Sequence, residues 1–483
     1  MKQKTFSNTI TRRDFLALTA MGSAASLWPK RAFSKIRRKK ADSAKAATSP
    51  REGGLNLIVI MADDCSAGEI ECYGNQKHKT PNLDALARTG VMFKTCWCTP
   101  LCSPTRAEIM TGRYGFRTRW YHNNMKVPEP LSKNNKIFAQ ILKEAGYATA
   151  IAGKWQLFGT QKEYGFDESC IWAYENYLPK GVTHKGAYEQ PGKPARYWHP
   201  CILKNGQYVP TNPDDYGPDI YTDFLIDFMK RHKAEPFLLY YPMCLTHGPH
   251  YPTPDSLTTK KDKMQHSREN FKADVEYMDK LVGRIVKALD DFGLRERTVI
   301  FFTTDNGTGG RGKGQAKEIG CRVPMIVNCP GVVKAIGPCD ELVDFSDVLP
   351  TLVELADFGE LSRAAADLPK EYVIDGHSFA PLLLGKSFKG REWIFSYLAD
   401  KRMLRDKRWL LEGDGRFYDC GNSRDGTGYK DVTDSNDPEV VAARKRFTEI
   451  LADKPAPGPD DPLLRKFRAG VPEKKQRKKR KNK

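Results

Sequence analysis

"LNLIVIMADD", residues 55–64, decides the fold. Leu55 to Met61 is an apolar run rich in β-branched residues. Such a run reads as a strand buried on both faces, as parallel strands are. It stops at once in Asp63-Asp64. "TVIFFTTDNG", residues 298–307, has the same shape and ends in Asp305-Asn306. "PFLLYYPM" (Pro236–Met243) and "VPMIVNCPG" read as further strands. Helical stretches alternate with them. "TPNLDALARTG" enters through Thr-Pro and stops at Gly90. Glu269 to Leu289 sets Phe271, Val275, Met278, Leu281, Ile285 and Leu289 on one face of a long helix. This alternation predicts an α/β sandwich around a large, mixed, mostly parallel sheet with helices on both faces. Near Lys386 the rhythm changes. "EWIFSYL", "KRWLLEG" and "RFYDC" read as short antiparallel strands, and "DPEVVAARKRFTEILA" as a closing helix. The expected division is 1–52 leader and basic linker, 53–385 main domain, 386–460 C-terminal subdomain and 461–483 disordered basic tail.

The net charge of +19 suggests nucleic acid until it is located. Residues 1–51 carry +11, residues 465–483 carry +10, and the body between them is near neutral at −2. The tails are solvated ends able to touch anionic glycans or surfaces, and no specific nucleic-acid site is expected. Near the start, "TRRDFLALTAMGSAASLW" pairs Arg12 and Arg13 with an apolar stretch too short to span a bilayer. It resembles a twin-arginine export signal, which predicts a periplasmic or extracellular protein. Export would permit disulfides among the 12 cysteines, with no pairing assignable. Cys96 and Cys98 read as buried or paired thiols, since no matching Cys/His pair lies near them.

In an open α/β sheet, ligands bind beyond the carboxyl ends of the strands. Asp63, Asp64, Asp305 and Asn306 would form an all-oxygen set there, suited to a hard cation such as Ca²⁺ or Mg²⁺. "TPLCSPTRAEIMTGR" (Thr99–Arg113) places Cys102 ahead of a helix whose first turns are expected near Ala107–Met110. A helix start offers unpaired N–H groups and partial positive charge to an anion or a nucleophile.

With these pieces in place, the chain from about Leu55 to Asp460 resembles the sulfatase family of the alkaline phosphatase superfamily. "CSPTR" matches the family's Cys-x-Pro-x-Arg signature, whose cysteine a separate maturation enzyme oxidises to formylglycine. "LIVIMADD" and "TTDNG" match its metal motifs, "GYATAIAGKWQLFG" its second signature, "LTHGPHYPTP" its histidine segment and "GRGKGQAKEIGCRVPMIVNCPG" its glycine-rich lysine motif. The resemblance implies an alkaline-phosphatase-like sandwich and a formylglycine- and cation-dependent hydrolase of sulfate esters, with Ca²⁺ ahead of Mg²⁺. It implies that Asp63, Asp64, Asp305, Asn306 and residue 102 surround the cation. Arg106 would orient residue 102, Lys154 and Lys313 would grip sulfate oxygens, and His247 would stand at the leaving oxygen. The implied partners are a sulfated small molecule or polysaccharide and the maturation enzyme.

One position departs. Relatives carry histidine two residues after the lysine of the second signature, and this chain has Gln156. Glutamine hydrogen-bonds but does not carry a proton. His122 and His250 are substitutes on residue type alone. Arg117, Arg119, Trp120, Tyr121 and His122 could line a sugar pocket or be packing, and the irregular stretch from Tyr174 to Tyr221 could shape a cleft. Two other functions fit subsets of these features. One is a phosphodiesterase or phosphonate monoester hydrolase of the same superfamily, which Asn306 speaks against. The other is a catalytically weak sulfated-glycan-binding protein, which Gln156 favours and the intact Cys102-Pro104-Arg106 signature opposes.

Overall fold

The computed structural model describes residues 54–123, 129–356, 372–458 and 461–463. The expected export signal and most of the basic C-terminal tail lie outside these residues. Strands run β1 (Asn56–Ala62), β2 (Val91–Trp97), β3 (Ala148–Lys154), β4 (Glu168–Trp172), β5 (Tyr188–Gln190), β6 (Lys193–Pro194), β7 (Ile202–Lys204), β8 (Gln207–Val209), β9 (Phe237–Pro242), β10 (Thr298–Thr304), β11 (Arg322–Asn328) and β12 (Gly337–Asp344). Ten of them form one sheet in the order β12-β2-β11-β10-β1-β9-β3-β4-β7-β8. β10, β1, β9, β3 and β4 are mutually parallel, with antiparallel pairings on either side. β5 and β6 make a separate ribbon.

β1 lies at the centre and is buried along its whole length. Leu57, Val59 and Met61 enter one core and Ile58, Ile60 and Ala62 the other. This is the two-residue alternation of a strand covered on both faces. The principal helices are α1 (Pro81–Arg88), α2 (Cys102–Thr111), α3 (Phe138–Glu144), α4 (Gly217–Arg231), α5 (Phe271–Asp291), α6 (Val348–Leu355) and α7 (Pro438–Ala452). Side chains of α2, α3 and α6 fill the first core, and those of α1, α4 and α5 the second. The expected sandwich is therefore present. No described helix is long and apolar enough to cross a membrane.

A second sheet, β13 (Ile394–Leu398), β14 (Lys401–Arg405), β15 (Trp409–Leu411), β16 (Phe417–Asp419) and β17 (Lys430–Asp431), is antiparallel throughout, and α7 closes it. It packs on the chain around α2. Ser396 Oγ donates to the Cys98 carbonyl at 2.6 Å and Tyr397 Oη to the Trp120 carbonyl at 3.1 Å. All twelve cysteines are free thiols, so the disulfides that export would permit are not formed.

Two backbone and burial features bear on stability. Gly153, one residue before the end of β3, has φ +116°, and a Cβ there would meet the Pro242 carbonyl oxygen at 2.1 Å. Gly153→Ala is expected to cost about 3 kcal/mol or more. A urea midpoint equal to the parent's would refute this close strand contact. On α5, Asp274 is 1% exposed and accepts from His250 Nδ1 at 2.7 Å. Burial pushes Asp274 up to about 7, against a hydrogen bond from His250 that lowers it. The folded state thus holds this proton more tightly than the unfolded chain. The resulting stability is full below about pH 4 and lost as pH rises through about 7. Asp274→Asn removes that titration. The stability difference between parent and variant should shrink, by up to about 4 kcal/mol, between those limits. Parallel stability–pH curves would contradict it.

Candidate active site

The strand register assembles the site. β1 and β10 pair in parallel with Ala62 opposite Thr304, so Asp63-Asp64 and Asp305-Asn306 leave neighbouring strands side by side. The β1 turn is locked by main-chain bonds, from Asp63 N to the Leu245 carbonyl and from Thr246 N to the Asp63 carbonyl, both 2.8 Å. Asp64 adopts φ 60°, in the left-handed region. Such strain persists only where the surroundings over-determine it. Here Asp64 N donates to Asp305 Oδ1 at 3.1 Å and Asn306 Nδ2 donates to Asp64 Oδ1 at 2.8 Å.

Cys102 is the first residue of α2, with Leu101 as the extended cap. The expected start near Ala107 is corrected by more than a turn. Pro104 lies in the first turn, where its missing N–H costs nothing, so it initiates the helix rather than preceding it. The thiol is 0% exposed. Its Sγ lies 3.5 Å from Asp63 Oδ1, 3.8 Å from Asp64 Oδ1 and 3.5 Å from Lys154 Nζ. Burial, then the Asp305 charge, pushes this thiol far up, beyond the partial relief from Lys154. Burial thus works against the thiolate, the nucleophilic form of a cysteine.

Three cations balance the three carboxylates. Arg106 Nη2 donates to Asp305 Oδ2 at 2.7 Å, and its Nη1 to the Lys154 carbonyl at 3.2 Å. Lys154 Nζ bonds Asp63 Oδ2, and Lys313 Nζ lies 2.7 Å from Asp64 Oδ1 and 2.8 Å from its Oδ2. Burial would raise Asp63, but Lys154, His247, Arg106 and Lys313 hold it well below the carboxylate range. Burial and the Asp63 charge raise Asp64. The same two causes raise Asp305, against Arg106.

The residues present fit a divalent cation. Ligand atoms of Asp63, Asp64, Cys102 and Asp305 all lie within 4.8 Å of one another. Asn306 Oδ1 is buried without a hydrogen-bond partner. An orphaned buried acceptor is costly, and a cation would satisfy it. Carboxylate and amide oxygens suit Ca²⁺ or Mg²⁺.

The remaining expected residues divide. His247 is brought to the site: its Nε2 lies 3.6 Å from Asp64 Oδ2, and its Nδ1 bonds the Gly248 carbonyl. Burial, then the charge of Arg196, drives His247 well below the ordinary imidazole value. Gln156 neighbours the nucleophile helix: Ser103 Oγ donates to its carbonyl at 3.3 Å, while its own Oε1 is buried without a partner. Arg117 and Arg119 are engaged by Asp375 and Asp461, and Trp120 and Tyr121 are core. That stretch is largely packing, its arginines held by carboxylates distant in sequence. Burial pushes His122 down to about 4. Sequence reading missed Trp172, Glu189, Lys193 and Arg196. Their only signal was the charge and aromatic content of the insert after Tyr174.

Comparison with known proteins agrees. A sulfatase family model matches residues 55–358. Human arylsulfatase D is 29% identical over 75% of this chain and 74% of its own. Dog N-acetylgalactosamine-6-sulfatase is 30% identical over 72% and 69%, and mouse steryl-sulfatase 30% over 76% and 71%. Among solved structures, Ps i-CgsB in complex with k-i-k-neocarrahexaose shares the fold at TM-score 0.66 and 22% identity, covering 82% of this chain and 92% of that one. BT4656 in complex with D-glucosamine-2-N,6-O-disulfate gives 0.61 and 18%, covering 87% and 100%. The strand-end acids, the helix-borne Cys102 and the family match together place this chain in the sulfatase family, the hydrolases of sulfuric esters.

Proposed function

We propose that the protein is an exported sulfatase that acts on sulfated saccharides, with residue 102 converted to formylglycine and Ca²⁺ between the two acidic strand ends. The observation that carries the proposal is the buried Cys102 thiol, within 3.5 Å of both Asp63 and Lys154 at the meeting point of the two acidic strand ends. A buried thiol is poorly suited to attack sulfur, whereas a cation-bound hydroxyl at the same place is well suited. Formylglycine, as its hydrate, supplies such an oxygen nucleophile. The cation supplies charge stabilisation for it and for the sulfate oxygens.

The chain's own residues do the rest. Lys154 and Lys313 are positioned to hold sulfate oxygens as point charges in a water-poor site. Arg106 fixes Asp305 and, through the Lys154 carbonyl, the end of β3. His247 donates from Nδ1 to the Gly248 carbonyl, so Nε2 is the nitrogen that faces the site. With its imidazole held neutral and its one proton on Nδ1, His247 presents Nε2 to the site as an acceptor, so it would have to take up a proton there before it could donate one to the leaving oxygen. Gln156 can accept a hydrogen bond from a hydroxyl through its orphaned Oε1 but cannot accept a proton. The saccharide reading is supported by the carbohydrates with which the two structural neighbours are in complex.

Sulfate release from p-nitrophenyl sulfate should fall at least about 100-fold on chelation and return with Ca²⁺. Cys102→Ala should remove activity by about 10³-fold or more. Peptide mass spectrometry of protein from its own host should show formylglycine at 102. An unmodified thiol with chelator-insensitive turnover would overturn the reading. The exported fraction should vanish in an Arg12→Lys, Arg13→Lys double variant, and unchanged export would remove the twin-arginine assignment.

A further inference from the structure

A second positively charged site lies beside the catalytic one. β3 and β4 pair in parallel with Lys154 directly opposite Trp172. Trp172 is 0% exposed, and its indole Nε1 donates to the Pro194 carbonyl at 3.1 Å. The ribbon β5–β6 is thereby pinned to the strand end next to Lys154. Two cations sit on that indole: the Arg196 guanidinium carbon 4.2 Å and Lys193 Nζ 5.9 Å from a ring centroid. Tyr174 packs against the same ring at 4.4 Å.

Both cations share a single carboxylate. Glu189, with its side chain 1% exposed, receives Arg196 Nε at 2.8 Å and Arg196 Nη2 at 3.1 Å, and Lys193 Nζ at 3.1 Å. Arg196 Nη1 is buried without a partner. The group carries one surplus positive charge, beside a lysine already matched by Asp63. One carboxylate shared by two cations leaves donors over, a buried one on Arg196 and the partly exposed ammonium of Lys193, and a further anionic acceptor would satisfy them. Burial and the Arg196 charge lower Lys193, against the opposing pull of Glu189. Lys193 keeps a quarter of its side chain exposed, so the surplus charge reaches solvent.

We propose that Lys193 and Arg196, seated on Trp172, form a subsite for a second anionic group, a sulfate or carboxylate, on the saccharide that presents its scissile sulfate to Lys154 and Lys313. The proposal rests on the sulfatase reading and narrows its substrate to a saccharide with at least two negative charges. Cation pairs on an aromatic face hold planar or tetrahedral oxyanions well, because the ring supports the cations without competing for the anion.

The test is calorimetric binding of monosulfated hexosamines and of the disulfated series in which the second sulfate visits each ring position, using the full chain. In the parent, at least one disulfate should bind about tenfold or more tightly than its monosulfated counterpart. In Lys193→Ala that ratio should fall to about one, and in Lys193→Arg it should persist. Lys193 lies on a ribbon at the surface, so its replacement does not empty a core. A parent that binds no disulfate more tightly, or a ratio that survives in Lys193→Ala, overturns the subsite. Sulfate release from the monosulfates, read separately, tests the sulfatase reading, so the two failures are distinguishable.

Discussion

Parallel pairing of β1 with β10 is the constraint on which the site depends. Two short acidic motifs separated by 241 residues along the chain meet because Ala62 lies opposite Thr304. A slip of one residue would turn Asp63 from the site into a core. The register is held by the alternation of β1 between two apolar cores, so packing far from the chemistry fixes the chemistry. The charge balance follows from the same pairing. Three buried carboxylates would be untenable alone, and each is met by a different cation: Asp63 by Lys154, Asp64 by Lys313 and Asp305 by Arg106. A divalent cation and a sulfate dianion can be added together without altering the net charge of the cavity.

Much of this was legible in the sequence, for a physical reason. Strands buried on both faces read as uninterrupted apolar runs, and β1, β9 and β10 stand where those runs stand. β2 escaped notice: "VMFKTCW" has a lysine in mid-run and follows α1 with only Thr89 and Gly90 between helix and strand. β12, "GPCDELVD", is interrupted in mid-strand by Asp340-Glu341, where its register against β2 shifts at the sheet's edge. The start of α2 was misplaced because Leu101 lacks a capping side chain, which removes the usual signal for a helix beginning at Cys102. The cluster of Asp63, Asp64, Asp305 and Cys102 was readable from motifs. The pairing of Lys154 with Trp172 was not, because register across parallel strands depends on packing rather than on local spacing.

The insert that carries Glu189, Lys193 and Arg196 contributes no strand to the centre of the sheet. Its ribbon is a separate two-stranded unit attached by Trp172 and Pro194. Lys154 therefore belongs to the end of β3 and Lys313 to the loop after β10, whereas the groups around Trp172 belong to a separate ribbon whose neighbour Tyr197 donates to the Cys244 carbonyl.

The grip of the small sheet on the nucleophile segment also has a consequence for the order of events during synthesis. The Cys98 carbonyl is held by Ser396, 298 residues further along the chain. A ribosome must therefore make most of the protein after Cys102 before this clamp can close. Throughout that interval the segment just ahead of α2 lacks this hydrogen bond. Ser396 and Tyr397 then fix the chain on both sides of α2, at the Cys98 and Trp120 carbonyls. The distance between two residues in the gene thus sets how long the segment ahead of α2 stays unclamped during translation.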